Sequence, residues 1–191
     1  MTIMIPINRR TFILAAAAAV APTFTHGQTS GSKRMETGML VKADQDRYMR
    51  RKTVLGGFPI DSKVATRDTD GGLFIIENLN EKRGGPPRHL HYEQEEWFYA
   101  IEGEYLLEIG EERFDLGPGD SILAPRKVPH AWAFKGKDHG RLLIVFQPAG
   151  LMESFFQKLA KIKGEPDKAE LKRLFHAHRM EITGPPLFKL G

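Results

Sequence analysis

The sequence predicts an all-β fold, an antiparallel barrel or sandwich, with a short C-terminal helical tail. Three observations carry that expectation. From about Val54 to Pro148, short apolar and aromatic runs recur every eight to twelve residues between Gly and Pro. They are G-G-L-F-I-I-E-N-L (71–79), W-F-Y-A-I-E-G (97–103), E-Y-L-L-E-I-G (104–110), R-F-D-L (113–116), S-I-L-A-P (121–125), A-W-A-F (131–134) and R-L-L-I-V-F (141–146). Even spacing of this kind is the pattern of antiparallel strands. Second, Gly110-Glu111-Glu112 has the chemistry of a tight hairpin turn between two of those runs. Third, the period changes after Pro148: Leu151, Phe155, Leu159 and Ile162 fall at helical spacing.

Gly164 and Pro166 end that first helix, and Asp167 with Glu170 three residues later starts a second. Leu171, Leu174 and Phe175 form its apolar stripe. The chain thus divides into a barrel over residues 54–148 and C-terminal helices over 149–191 packed on it, with residues 28–53 as a linker and lead-in.

The bulk numbers fit one domain. The 191 residues are 41% hydrophobic and 27% charged, ordinary for a globular chain. The formal charge of +4 includes Arg9 and Arg10; without residues 1–27, 26 basic residues face 24 acidic ones, a net of +2. Such a balance offers no concentrated basic face for nucleic acid. There is no cysteine, which excludes disulfides and thiolate metal sites and confines any metal to N and O ligands.

The N-terminus reads as an address. Arg9-Arg10 precede Thr11 and an apolar run from Phe12 to Ala21, ten residues and too short to span a bilayer of about 30 Å. R-R-x-F-I resembles a twin-arginine export signal, which implies a periplasmic or secreted protein with no stable membrane anchor after cleavage. Residues 1–27 are the expected signal, cut after Gly27.

Two His-x-His pairs stand out, His89/His91 and His176/His178. Residues i and i+2 share a face on a strand but diverge by about 200° on a helix. The first pair, in a β context, can reach one ion. The second falls in the helical tail, where one surface histidine and one packing histidine are expected, and His139 reads as a loop residue.

The first pair belongs to a larger pattern. His89-x-His91 is followed after four residues by Glu96 and after six more by Gly103; Gly119 is followed after five by Pro125 and after four by His130. The two blocks, fifteen residues apart, resemble the paired motifs of the cupin superfamily. That resemblance implies a double-stranded β-helix, or jelly-roll barrel, with His89, His91, Glu96 and His130 converging on one divalent transition metal. Three imidazoles and a carboxylate suit Fe, Mn, Co, Ni, Cu or Zn and leave coordination positions for water or substrate. A shift of one residue would make Glu95 the ligand; the spacing to Gly103 favours Glu96, leaving Glu93 and Glu95 facing solvent. Two residues depart from the pattern: Lys127 stands where Gly is frequent and Phe134 where Asn is frequent.

Strand alternation from Glu96 carries Phe98 inward, and from His130 it carries Trp132 and Phe134. These three aromatics are candidate walls of a substrate pocket for a flat apolar or aromatic ligand, or else plain barrel core. The tail segments P-A-G-L-M-E-S-F-F and H-R-M-E-I-T-G-P-P-L add a resemblance to bacterial single-domain cupins grouped with quercetin 2,3-dioxygenases. What this implies is metal-dependent oxygenative cleavage of a small enol-bearing substrate, with Glu96 both ligand and the base that takes the enol proton. Two other classes compete: a metal-dependent isomerase, lyase or decarboxylase on a sugar or small acid, and a non-catalytic periplasmic module that binds a small ligand. A homodimer paired through edge strands is also expected.

Overall fold

The computed structural model describes residues 34–55, 57–136, 138–164 and 166–188; the expected export signal at 1–27 lies outside the described residues. Alternation of apolar and polar residues gives strands β1 (Lys52–Val54), β2 (Phe58–Val64), β3 (Phe74–Asn80), β4 (Pro87–His91), β5 (Glu95–Glu102) and β6 (Tyr105–Ile109). They continue as β7 (Glu112–Leu116), β8 (Ser121–Ala124), β9 (His130–Phe134) and β10 (Gly140–Gln147). The tail supplies α1 (Met152–Leu159), α2 (Lys168–Ala177) and β11 (Met180–Pro186).

The strands form two antiparallel sheets, in the orders β1-β2-β3-β10-β5-β8 and β11-β4-β9-β6-β7. Register in the larger sheet stacks inward side chains in rungs. Phe146 lies opposite Phe74 and Glu96, Ile144 opposite Ile76 and Phe98, and Leu142 opposite Asn78 and Ala100. All of these side chains are buried. The smaller sheet meets them with Tyr105, Leu107, Trp132 and Phe134, also buried. Each such aliphatic or aromatic side chain contributes about 1.5–3 kcal/mol through burial, so the shared core between the sheets holds the sandwich together. Outward positions keep their charges in pairs: Glu77 accepts from Lys63 (2.8 Å) and from Arg141.

Local chemistry sets the connections. Gly110 and Glu111 form the turn between β6 and β7, with Gly110 at φ 60°. Gly103 takes φ 84°, and a Cβ there would meet the Phe134 ring at 2.7 Å and the His139 carbonyl at 2.8 Å, so the position requires glycine. Lys127 adopts φ 66° and donates its N–H to the His91 carbonyl at 2.7 Å. The left-handed turn is therefore kept without the glycine, because the hydrogen bond to the histidine strand offsets the steric cost.

In the tail, Asp167 caps α2 by accepting from the Glu170 N–H at 3.3 Å. Met152, Phe155 and Leu159 of α1 and Phe175 of α2 are buried. The chain does not stay helical to its end. β11 returns to the smaller sheet, with Met180 opposite His91 and Ile182 opposite His89. Met180 and Ile182 alternate with Glu181 and Thr183, a run too brief for periodicity to reveal, and Pro185 and Pro186 are tolerated because β11 is an edge strand. The lead-in is also tied down: buried Asp46 accepts from the Ser62 N–H at 2.7 Å and from the Tyr48 N–H at 2.8 Å.

Candidate metal centre

β4 and β9 are neighbours, and His89 stands directly across from His130 in their register. His91 lies two residues on along β4 and so shares the face of His89. Glu96 enters from the opposite sheet as the second residue of β5. All four side chains are buried, and their ligand atoms lie within 4.8 Å of one another.

The three imidazoles aim at one carboxylate oxygen. Nε2 of His130, His91 and His89 lies 2.8, 3.1 and 3.9 Å from Glu96 Oε2. The outer nitrogens fix the tautomers of two rings. His89 Nδ1 is 2.8 Å from the Pro87 carbonyl and His130 Nδ1 is 3.0 Å from the Val128 carbonyl. A carbonyl only accepts, so both Nδ1 atoms carry the proton, and a neutral ring then directs its Nε2 lone pair at the carboxylate. Burial, with the neighbouring imidazoles of His130 and His91, holds the His89 pKa down to about 3, which keeps that ring neutral. Burial alone would raise the Glu96 carboxyl; with no metal present, His130 and His91 lower it well below the ordinary carboxylate range when their Nε2 atoms carry a proton and donate it to the carboxylate.

Lone pairs facing an anionic oxygen in a dry interior repel one another unless a cation lies among them. Ligands about 2.1 Å from a common ion and roughly at right angles lie about 3 Å apart, close to the His130 and His91 separations. The donor set therefore fits a divalent metal, and Nδ1–H to carbonyl is the outer hydrogen bond that metal-binding histidines use to orient the ring.

The neighbouring carboxylates separate as alternation dictates. Glu95 points outward to Arg126, and exposed Glu93 lies 3.9 Å from Arg179. His176 is exposed; His178 is buried, donates Nδ1–H to the Leu174 carbonyl at 2.7 Å and lies 3.3 Å from Lys158 Nζ. His139 is exposed, between β9 and β10.

A cavity of about 50 Å³ adjoins the cluster. That is room for a few waters, and about a third of the roughly 150 Å³ of an apolar cavity that holds benzene. Its walls include Phe58, Ile76, Trp132, Ile144 and Phe146 from the sheets and Phe155, Leu159 and Phe175 from the helices. Gly85 also lines it; a Cβ there would sit 1.9 Å from the Trp132 carbonyl oxygen, so only glycine allows this approach.

Of the three aromatics expected in the pocket, Trp132 lines the cavity. Phe98 sets its ring edge-on to His130, with centroids 6.2 Å apart, and backs the ligand without lining the cavity. Phe134 is core: one step further along β9, it packs on Tyr105 (centroids 5.5 Å apart) and against Gly103 and Gly140. Sequence reasoning missed Asn78, which lines the cavity, and the helical aromatics. An Asn in phase with Phe74 and Ile76 was the available signal for the former. Nothing local marks Phe155 or Phe175, which reach the centre only by folding of the tail.

Residues 76–146, which contain all four cluster residues, match the family model described as Cupin domain. An uncharacterized protein of Methanocaldococcus jannaschii is 43% identical over 42 residues, 22% of this chain; the match spans about a third of that relative (34%). Among solved structures, KdgF from Halomonas sp. is similar over 59% of this chain and 94% of its own, at 20% identity and a TM-score of 0.50, a likeness of fold. An RmlC-like cupin from Shewanella frigidimarina matches over 59% and 93%, at 21% identity and a TM-score of 0.48. Residues 76–146 thus match a cupin domain, and the two-sheet barrel built around them has a fold like that of KdgF from Halomonas sp..

Proposed function

We propose that this chain is an exported metal-dependent enzyme of the dioxygenase type, acting on a small enol, enolate or aromatic substrate at a metal held by His89, His91, Glu96 and His130. The observation that carries the reading is the convergence of three Nε2 atoms on Glu96 Oε2, with two Nδ1–H groups tied to carbonyls. A divalent transition metal bound there supplies Lewis-acid polarisation of an enolate and access to dioxygen chemistry.

This chain's residues supply the rest. Glu96, held ionised at the cavity edge, accepts the enol proton. Trp132, Ile144 and Phe146 present flat apolar walls that orient a planar substrate and exclude water. Phe155, Leu159 and Phe175 cover the cavity from the helical side. The small apolar space favours a small enol of few heavy atoms over a three-ring flavonol and over a sugar, whose hydroxyls would go unpaired on these walls.

The test is oxygen uptake by metal-loaded protein, its metal identified by elemental analysis, on a panel of flavonols and small enols. Uptake coupled to substrate loss supports the reading. Turnover under strict anaerobiosis would replace it with an isomerase, lyase or decarboxylase, and binding without turnover with a ligand-binding module. Export is tested separately: protein recovered from the periplasm or medium of the native host should begin at Gln28, and one that begins at Met1 overturns the signal.

A further inference from the structure

We infer that the cleft between α2 and β11 is the mouth of the metal cavity and holds the body of the substrate, an amphipathic anion whose charged end lies at Lys168 and Lys172. The inference rests on the proposed function and extends it: the few atoms that reach the metal are the reacting end of a longer molecule.

The inner cavity holds only a few waters, but a larger space adjoins it. α2 and β11 flank a cleft of about 480 Å³, about three times the roughly 150 Å³ that holds benzene. Leu55, at the turn between β1 and β2, and Gly85, ahead of β4, line both spaces. On α2, Leu171 lines the cleft; Phe175, one turn further, lines the inner cavity and sets its ring edge-on to His89. Ile182 of β11 lines the cleft and stands opposite His89 in the strand register. The cleft therefore leads toward the histidine cluster, with Leu55 at the junction. Leu55 takes φ 49°, a left-handed backbone that costs a leucine strain, and such strain concentrates where a side chain guards a ligand site.

The charge on the cleft has one sign. Among the described residues, Lys168 and Lys172 are its charged lining, and neither has an ion-pair partner. Four residues apart, they share a face of α2, and like charges at that spacing repel, so the helix gains nothing from the pair. The acids nearest in sequence are turned elsewhere: Asp167 caps α2, and Glu170 lies about 200° round the helix from both lysines. Leu171, Ile182, Pro185 and Pro186 supply apolar walls. At about 1.5 Å per residue, Lys168 stands roughly 10 Å outward of Phe175 along α2, the reach of about eight bonds of an extended chain. The substrate class this describes is a linear molecule with an enol at one end, an apolar chain of that length and an anionic group at the other.

1-Octanesulfonate has such a chain and a permanent charge that binds metals poorly; 1-octanol has the chain alone. Calorimetric titration of zinc-loaded protein should give about tenfold tighter binding of the sulfonate, the effect of two ion pairs at the rim. Lys168→Gln combined with Lys172→Gln should bring the sulfonate to the affinity of octanol and leave octanol within about twofold. Both lysines are exposed, so the fold does not depend on them. In methyl NMR spectra the signals of Leu55, Leu171 and Ile182 should shift, and those of Leu123, exposed on another face, should not. Sulfonate at ten times its dissociation constant should slow removal of zinc by a chelator about tenfold, because the mouth is then filled. Equal affinities for sulfonate and octanol, shifts at Leu123 in place of the cleft, or zinc release that the sulfonate does not slow each overturn the inference. None of these readings involves dioxygen: protein that gives all of them yet consumes no oxygen with any enol overturns the proposed function and not the mouth.

Discussion

At the scale of single residues, the four-residue cluster was legible because its chemistry is compact in the chain. His89, His91 and Glu96 fall within eight residues, and β4 places the pair on one face. Asn78 was not legible, because its meaning depends on a cavity that only the pairing of β3 with β10 creates. His91→Ala should reduce bound metal from one ion per chain to a small fraction, measured by elemental analysis after dialysis; stoichiometric retention would remove His91 from the ligand set. Acid stability follows from His89. Its pKa is 6.5 in the unfolded chain and about 3 when folded, so between these values the unfolded state binds the extra proton. His89 therefore favours the folded state fully above pH 6.5 and progressively loses that contribution as pH falls toward 3. The lowered Glu96 carboxyl acts in the same direction, but only below about its ordinary 4.5. Chelator-treated protein should lose about 1.4 kcal/mol per pH unit through His89 once well below pH 6.5, read from urea midpoints. His89→Leu should flatten that slope between pH 6 and 5, and an unchanged slope would assign the acid sensitivity elsewhere.

At the scale of elements, the helical tail belongs to the site. Phe175 of α2 sets its ring edge-on to His89, with centroids 5.4 Å apart, and packs on Phe155 at 5.0 Å. β11 then lies beside the histidine strand β4. The helices themselves were legible from their spacing and from the Asp167 cap. Their destination was not, since an apolar stripe says that a helix packs but not on what. Phe175→Ala should cost about 3–5 kcal/mol in chemical denaturation, the usual penalty for a buried aromatic. A stability loss below about 1 kcal/mol would mean that the helices cover the cavity only loosely.

At the scale of the whole molecule, the two-sheet sandwich was legible from the rhythm of strands and turns, whereas the outer surface of the larger sheet was not, because exposure is decided by which strands lie at the edge. Among the described residues, β8 pairs with β5 alone and forms that edge. Beside it, Leu123 is 50% exposed and Ile101 40%, and the half-buried Trp97 and Tyr99 stack outward with centroids 5.8 Å apart. Leu123 faces Trp97 across the pair, so these side chains form one apolar patch beside the edge of the sheet. A second copy of the chain, two-fold related, would bury the patch against itself and extend the sheet through β8, which is the homodimer expected from sequence and proposed here. Light scattering should then give twice the monomer mass. Leu123→Asp should yield a monomer, because two carboxylates would face each other across an apolar contact. The metal cluster lies on the opposite, inner face of β5, so metal content should not change in the variant. A monomeric wild type, or a dimer that survives Leu123→Asp, would place the association surface elsewhere or remove it.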